Sequence, residues 1–192
     1  MILSLFRPKK PNANKQIVDD TFEAIVAAAR QPTLYADWGI PDTPLGRYES
    51  LSLHMILFLH RTRNAPELVQ ALAQDVVDEF FKDIDHSVRE LGVGDAGVPK
   101  RMKKLGKMFY GRMGPYWEAI DANDLDALSD AITRNISPVS PEAAQSLKGA
   151  DLAAYAMAVA NYLSTASDDD LLKGRLAFQT VEGLGLLANA NE

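Results

Sequence analysis

The sequence contains no cysteine, and no apolar stretch in its 192 residues approaches the roughly 20 needed to cross a bilayer. Without cysteine there are no disulfides, thiolate-bound metals or cysteine nucleophiles, which is compatible with a reducing compartment. An export signal is also missing, because the N-terminal basic residues follow a very short apolar run instead of preceding a long one. We therefore expect a cytoplasmic protein, in which Leu3 to Lys10 could still touch a membrane surface.

Residues suited to catalysis or metal binding are also scarce. The three histidines, His54, His60 and His86, are not spaced as a metal-binding pair, and His54 falls within an apolar helix pattern typical of a hydrogen-bonded core histidine. No serine lies in a nucleophile elbow, and Asp121 to Asp126 lacks the fifth-position ligand and the glycine of a calcium loop. The sequence accordingly predicts no catalytic residue, no metal and no cofactor.

Helical periodicity dominates the rest of the chain. Apolar residues recur at spacings of three and four, and no alternation of period two is sustained. The approximate bounds of the predicted helices are Lys15–Arg30, Leu45–Arg63, Pro66–Leu91, Pro99–Tyr110, Asp124–Arg134, Gly149–Ser164 and Asp168–Val181. We expect a break at Gly114-Pro115, a loop from Tyr35 to Gly46 and a hinge at Ser137 to Pro141. The predicted fold class is all-α, an irregular single-domain helical bundle.

The charge is unevenly distributed along the chain. The net charge is −6, but the segment from Val98 to Arg112 contains six basic residues and no acidic one. The six are Lys100, Arg101, Lys103, Lys104, Lys107 and Arg112. Three interpretations stay open. The segment could be a solvated face neutralised by the preceding acidic helix, or an element that binds nucleic acid such as ribosomal RNA. It could also be a protein-docking element, with apolar surface supplied by Met102, Leu105, Met108, Phe109 and Tyr110.

The segment from Gly92 to Gly97 matches the G-x-G-x-x-G dinucleotide motif by letter. That motif needs a preceding strand to lay the pyrophosphate on the next helix, whereas an acidic helix precedes it here. A turn between two helices is the better interpretation. It predicts that Gly92 and Gly94 adopt positive φ and that Asp95 caps the amides of the next helix.

Several long and compositionally unusual segments run through the chain. They are Arg47 to His54, Asp83 to Asp95 with its Arg-Glu-Leu-Gly-Val-Gly-Asp run, Val98 to Lys104, and Phe109 to Arg112. These segments resemble the ubiquinol–cytochrome c chaperone family, and Tyr35 to Asp42 resembles the start of its core domain. The similarity extends to Val181. We therefore expect an N-terminal segment with the first helix, residues 1–34, and a chaperone-like helical domain, residues 35–192, packed together as one domain.

The resemblance implies an all-helical assembly factor for ubiquinol–cytochrome c reductase without enzymatic activity. Mitochondrial members of the family associate with a small partner protein and with ribosomes, and they receive newly made cytochrome b. The short segment before the shared region implies a bacterial member at the cytoplasmic face of the membrane. The net charge of −6 argues against DNA as a partner. Two alternatives stay open: an RNA- or ribosome-binding helical module, and a small-molecule enzyme or haem-binding protein built around His54.

The resemblance and the charge pattern together single out two sets of residues. Those expected to bind a partner are Lys100, Arg101, Lys103, Lys104, Lys107, Met108, Tyr110 and Arg112. Those expected to organise the motif internally are Arg47, His54, Asp85, Arg89, Glu90, Gly92, Gly94 and Asp95. Because a partly buried arginine needs an acidic partner, we expect ion pairs within the second set.

Overall fold

The computed structural model describes residues 15–186, and within this range the chain forms helices and turns without a strand. In chain order the helices are α1 (Lys15–Ala29), α2 (Pro32–Ala36), α3 (Pro44–Thr62), α4 (Glu67–Glu90), α5 (Val98–Asp121), α6 (Leu125–Ile136), α7 (Pro141–Ser146), α8 (Gly149–Thr165) and α9 (Asp168–Leu172). The predicted all-α class is confirmed. The membrane contact suggested for Leu3 to Lys10 lies outside the described residues.

Helix α3 lies at the centre of the bundle. It is apolar on nearly every side, and Met55, Ile56, Leu57 and Phe58 are fully withdrawn from solvent. Helices α1, α4, α5, α6 and α8 all pack against it. A helix with apolar residues all round can be stable only where neighbours cover every face, so its central position follows from its composition. The helix begins at Thr43, whose hydroxyl accepts the Gly46 amide at 3.1 Å.

The first turn of α3 requires glycine at position 46. A Cβ atom there would lie 1.9 Å from the backbone carbonyl oxygen of Pro41, which cannot rotate away. We expect Gly46→Ala to lower the free energy of unfolding by about 2–3 kcal/mol, as overpacking usually does. Gly111→Ala is the matched control, since a Cβ on that exposed helical glycine meets nothing within 4 Å. It should raise stability by about 0.5–1 kcal/mol.

Urea unfolding followed by circular dichroism measures both changes. A Gly46→Ala variant as stable as the Gly111→Ala variant would contradict the close approach of the Pro41 carbonyl to α3.

The turn between α4 and α5 differs in detail from the prediction. Gly92 adopts the predicted positive φ, at 81°, and its amide donates to the Arg89 carbonyl at 2.9 Å. Gly94 does not adopt a positive φ. Asp95 does not cap α5 either, because its carboxylate accepts from Arg89 at 2.6 Å. An arginine already fixed at the end of α4 is a stronger partner for a carboxylate than a neutral amide is.

Helix α5 continues through Gly114-Pro115, where a break was predicted. Pro115 has no amide hydrogen, so the Gly111 carbonyl loses its helical partner, but both residues are exposed and water can replace the bond. Phe109, Tyr116 and Ile120 are buried on the same side of the helix, before and after the proline. Packing of this continuous apolar stripe against α3 and α6 outweighs the local cost.

The C-terminal part departs from prediction in its helix lengths. The last helix ends at Leu172 and not near Val181, because Gly174 adopts a φ of 68° and turns the chain. The following segment lies on the bundle with Val181 buried, and the Val181 amide donates to the Gln31 side chain at 2.8 Å. The predicted loop from residue 35 to 46 is shorter at both ends, because Tyr35 and Ala36 are the last residues of α2 and α3 begins at Pro44. The predicted hinge is a short 3₁₀ turn, Ser137–Val139, leading into α7.

Small residues bring α8 close to α6, as their run in the sequence indicates. Ala153 and Ala156 are fully buried in α8. At the start of α8, a Cβ atom on Gly149 would lie 2.1 Å from the Thr133 hydroxyl oxygen of α6. These two helices therefore approach within a distance that only glycine and alanine allow.

Candidate docking surface

Four lysines of α5 form a single exposed face. At 100° per residue, the four lysines lie on the side of the helix opposite the buried side chains of Leu105, Phe109 and Tyr116. These lysines, called the lysine face below, are Lys100, Lys103, Lys104 and Lys107, and all four are exposed. Arg101 is exposed beside them. Burial of the opposite stripe therefore holds five cationic side chains toward solvent.

The lysine face is not neutralised by the acidic helix that precedes it. Within α4, Glu79 pairs with Lys82 at 2.8 Å, Asp85 with Arg89 at 2.7 Å and Glu90 with His86 at 3.1 Å. Among residues 15–186, neither the four lysines nor Arg101 forms an ion pair. Within the described residues no ion pair neutralises this face, so the docking and nucleic-acid interpretations stay open beside that of a solvated face.

Of the residues predicted to supply apolar surface, Leu105 and Phe109 are instead buried in the core, whereas Met102 and Met108 are half-buried and Tyr110 is exposed. Tyr110 is 45% exposed, and its ring packs 6.1 Å from that of Phe81 and 5.3 Å from that of Phe109. Met108 is half-buried against the core. Tyr110 thus offers a ring edge and a hydroxyl, while its ring face is largely covered.

Arg112 was predicted to contact a partner, and this prediction is wrong because the residue is buried and does not belong to the docking surface. Its guanidinium Nη2 donates to Glu49 Oε1 at 2.5 Å, and the two side chains are only 8% and 1% exposed. Burial raises the pKa of Glu49, and the Arg112 guanidinium opposes this rise by favouring the carboxylate. The pair joins α5 to the central helix α3. The position of Arg112, three residues after Phe109 and four before Tyr116, is the sequence signal of its burial.

Two further bonds attach α5 to α3 along its length. The Tyr48 hydroxyl donates to the Leu105 carbonyl at 2.7 Å, and the Trp117 indole donates to the Ile56 carbonyl at 3.1 Å. With the Glu49–Arg112 pair between them, these contacts anchor the helix on both sides of Pro115. The lysine face is therefore carried by a helix fixed to the centre of the bundle.

The residues predicted to organise the motif form mostly exposed pairs. Arg89 donates to Asp85 and also to Asp95, at 2.7 and 2.6 Å, and so ties the end of α4 to the turn before α5. Glu90 pairs with His86 at 3.1 Å. Ion pairs on an exposed surface contribute little to the free energy of unfolding, because water screens them. Their effect is on the path of the turn more than on global stability.

Arg47, another residue of this set, lies away from the turn. It donates to Asp42 at 2.6 Å, and both side chains are exposed beside the loop that enters α3. The structure therefore does not bring Arg47 together with Arg89 and Asp95.

His54 lies in a buried hydrogen-bond network, which confirms its prediction as a hydrogen-bonded core histidine. Its Nδ1 donates to the Ser50 carbonyl at 2.8 Å, and its Nε2 accepts from the Tyr155 hydroxyl at 2.8 Å. The Gln31 amide donates to the same hydroxyl at 2.8 Å. Burial lowers the pKa of His54 to about 4, so the ring is neutral at pH 7. Both ring nitrogens have protein partners within the core.

Residues 15–186 contain no group of three or more acidic or histidine side chains placed to hold a metal ion. Nor does this part of the chain include a helix both long enough and apolar enough to span a membrane. A groove between α1 and α4 carries a net negative charge, although Lys82 in it pairs with Glu79; its charged and polar lining is Asp19, Glu23, Glu79, Lys82, Asp83 and His86. The described surface is thus strongly positive along α5 and negative along this groove.

Comparisons with known proteins agree on one family. A family model described as ubiquinol–cytochrome C chaperone matches residues 36–178. The crystal structure of the Cbp3 homolog from Brucella abortus is similar to this chain with 52% sequence identity and a TM-score of 0.80. The match covers 95% of this chain and 98% of that one. None of the curated proteins compared with the chain matches it.

Proposed function

The chain belongs to the ubiquinol–cytochrome c chaperone family, and from this premise we propose that it holds newly made cytochrome b during assembly of ubiquinol–cytochrome c reductase. The family match and the 52% identical relative support the chaperone role. The unpaired cationic face of α5 supports a docking role for that helix. In this proposal the protein acts by binding and has no catalytic step.

The proposed place of action is the cytoplasmic face of the membrane. Cytochrome b is made for insertion into the bilayer, so a protein that receives it has to work close to the membrane. A small assembly partner and the ribosome are further proposed contacts, since mitochondrial members of the family associate with both. DNA is not a proposed partner, because the net charge of −6 is repelled by a polyanion except at the lysine face.

Complementation of a deletion strain tests the proposal. Loss of the gene should lower cytochrome b, measured by its reduced-minus-oxidised difference spectrum, together with ubiquinol–cytochrome c reductase activity. The wild-type gene should restore both. Normal cytochrome b and normal reductase activity in the deletion strain would contradict the chaperone role.

Two quadruple variants test whether the lysine face takes part. In the lysine-face variant, Lys100, Lys103, Lys104 and Lys107 are replaced by glutamine. In the control variant, the exposed residues Lys15, Lys82, Lys148 and Lys173 are replaced instead, so both variants change the net charge from −6 to −10. We expect the control variant to restore cytochrome b and the lysine-face variant to restore much less. Equal rescue by the two would remove the lysine face from the proposal.

The unpaired cationic side chains also favour a second candidate, an RNA- or ribosome-binding module without a chaperone role. Phosphate contacts release counterions, so ribosome binding through the lysine face should fall steeply with salt. Co-sedimentation with ribosomes over a range of salt concentrations measures this dependence. Steeply salt-dependent ribosome binding in a strain with normal reductase assembly would favour the second candidate over the first.

A further inference from the structure

We propose that the lysine face of α5, with Leu91 at the turn before it, binds the anionic headgroups of a phospholipid bilayer. The inference rests on the proposed function, which places the chaperone beside the membrane that receives its substrate. It assigns a ligand to the cationic surface: the lipids around the substrate and not the substrate itself.

The geometry of the lysine face suits a flat anionic layer. The four lysines occupy two successive turns on one side of a straight helix segment and span about 10 Å along its axis. No ion pair within the described residues holds their ammonium groups in place. Four to eight basic residues clustered on one surface are enough to attract a protein to anionic lipid.

The turn before α5 adds an apolar contact next to this charge. Leu91 is 57% exposed at the end of α4, and most of the residues between it and Lys100 are small. The acidic residue of the turn, Asp95, is paired with Arg89 at 2.6 Å, which reduces its repulsion of anionic headgroups. An exposed leucine beside basic residues is a common arrangement in proteins that lie on a membrane interface.

The side-chain types favour lipid headgroups over RNA. Single-stranded RNA is usually read by stacking on aromatic rings and arginine planes together with hydrogen bonds to the bases. The one aromatic side chain beside the lysines, Tyr110, has its ring packed on Phe81 and Phe109, and Arg112 is buried with Glu49. What remains exposed is Arg101 and the four lysines, and a lysine ammonium is a point charge on a flexible stem, suited to a fluid layer of phosphates.

The distribution of negative charge would orient the protein on such a surface. The acidic groove between α1 and α4 contains Asp19, Glu23, Glu79 and Asp83. An anionic bilayer repels this groove while it attracts α5. One orientation, with α5 toward the headgroups, is therefore favoured over the others.

Co-sedimentation of the purified full-length chain with vesicles tests the proposal. One set of vesicles contains phosphatidylcholine alone and the other contains phosphatidylglycerol as well. We expect binding only to the anionic set, weakening as salt is added. The lysine-face variant should bind more than tenfold more weakly, because each lysine close to an anionic surface strengthens binding by roughly fivefold. The equally charged control variant should bind as the wild type does, and Leu91→Gln should bind severalfold more weakly.

Several outcomes would overturn the inference. They are equal binding to both vesicle sets, unchanged binding of the lysine-face variant, or equal losses in the two quadruple variants. Lysine-dependent binding to ribosomes or RNA without vesicle binding would instead assign the face to nucleic acid. Circular dichroism verifies that both variants fold. Vesicle binding is measured without the reductase, so its failure leaves the complementation result, and with it the chaperone proposal, standing independently.

Discussion

Replacing Arg112 by methionine in a chain that keeps Glu49 should lower the free energy of unfolding at pH 7 by about 3–5 kcal/mol. The guanidinium donates to the Glu49 carboxylate at 2.5 Å, and both side chains are almost completely withdrawn from solvent. Methionine has a similar volume but no donor, so the carboxylate would stay buried without a partner. Chemical unfolding followed by circular dichroism measures the loss.

The same variant should show a characteristic pH dependence. Burial raises the pKa of Glu49 in the folded state above its ordinary value of 4.5, and removal of Arg112 takes away the group that opposes this rise. A raised folded-state pKa gives stability that is fully present below the unfolded-state pKa and is lost as pH rises through the folded-state pKa. Because burial has already raised the folded-state pKa of Glu49 to about 7 in the wild type, wild type and variant lose this stability together up to about pH 7, and the defect of Arg112→Met should grow as the pH rises above 7.

Two control variants separate the buried pair from other effects. Replacing both partners, as Glu49→Leu with Arg112→Met, should recover most of the lost stability, since an apolar pair of similar volume leaves no charge buried. Lys107→Met, on the exposed side of the same helix, should change the free energy of unfolding by less than about 0.5 kcal/mol. A loss below about 1 kcal/mol for Arg112→Met would be inconsistent with a buried ion pair.

As the pH falls from 6.5 to 4, the presence of His54 should lower the free energy of unfolding by about 3 kcal/mol. Burial lowers the pKa of its imidazole from 6.5 to about 4. Over this range the unfolded chain therefore takes up a proton that the folded chain does not. Stability linked to His54 is present above pH 6.5 and is lost as pH falls through the folded-state pKa. The effect is measured as the difference in unfolding free energy between wild type and His54→Gln across this range.

His86→Gln is the matched control for that measurement. His86 is 72% exposed on α4, so its replacement removes a histidine without changing the core. The acid-side loss of stability should persist in this variant because His54 is still present. The His54 network would be misassigned if wild type and His54→Gln showed the same dependence on pH.

Much of the helical architecture could be predicted from local sequence pattern. The buried face of α1 and the central position of α3 follow from three- and four-residue spacing, which indicates directly which side of a helix is buried. The family was likewise recognised from the motifs around Arg89 and Val98, and the comparisons confirm it.

The predictions that failed concern residues whose local signal is opposed by distant packing. Pro115 normally breaks a helix, yet Tyr116 and Ile120 bury their side chains only if α5 continues. Arg112 is positively charged like the lysine face, but it lies on the buried side of α5. Its position decides its environment, because that side of the helix packs on α3.

The sequence by itself determined the all-α class, the family and the existence of a basic segment, because helical period and charge are properties of neighbouring residues. Only the tertiary structure decided which charges are free and which are paired in the core. Glu49 and Arg112 are 63 residues apart, and His54 and Tyr155 are 101 apart. Packing of the helices brings together groups that are far apart in the sequence. A local sequence pattern can predict that a side chain is buried, but it does not identify the distant side chain that pairs with it.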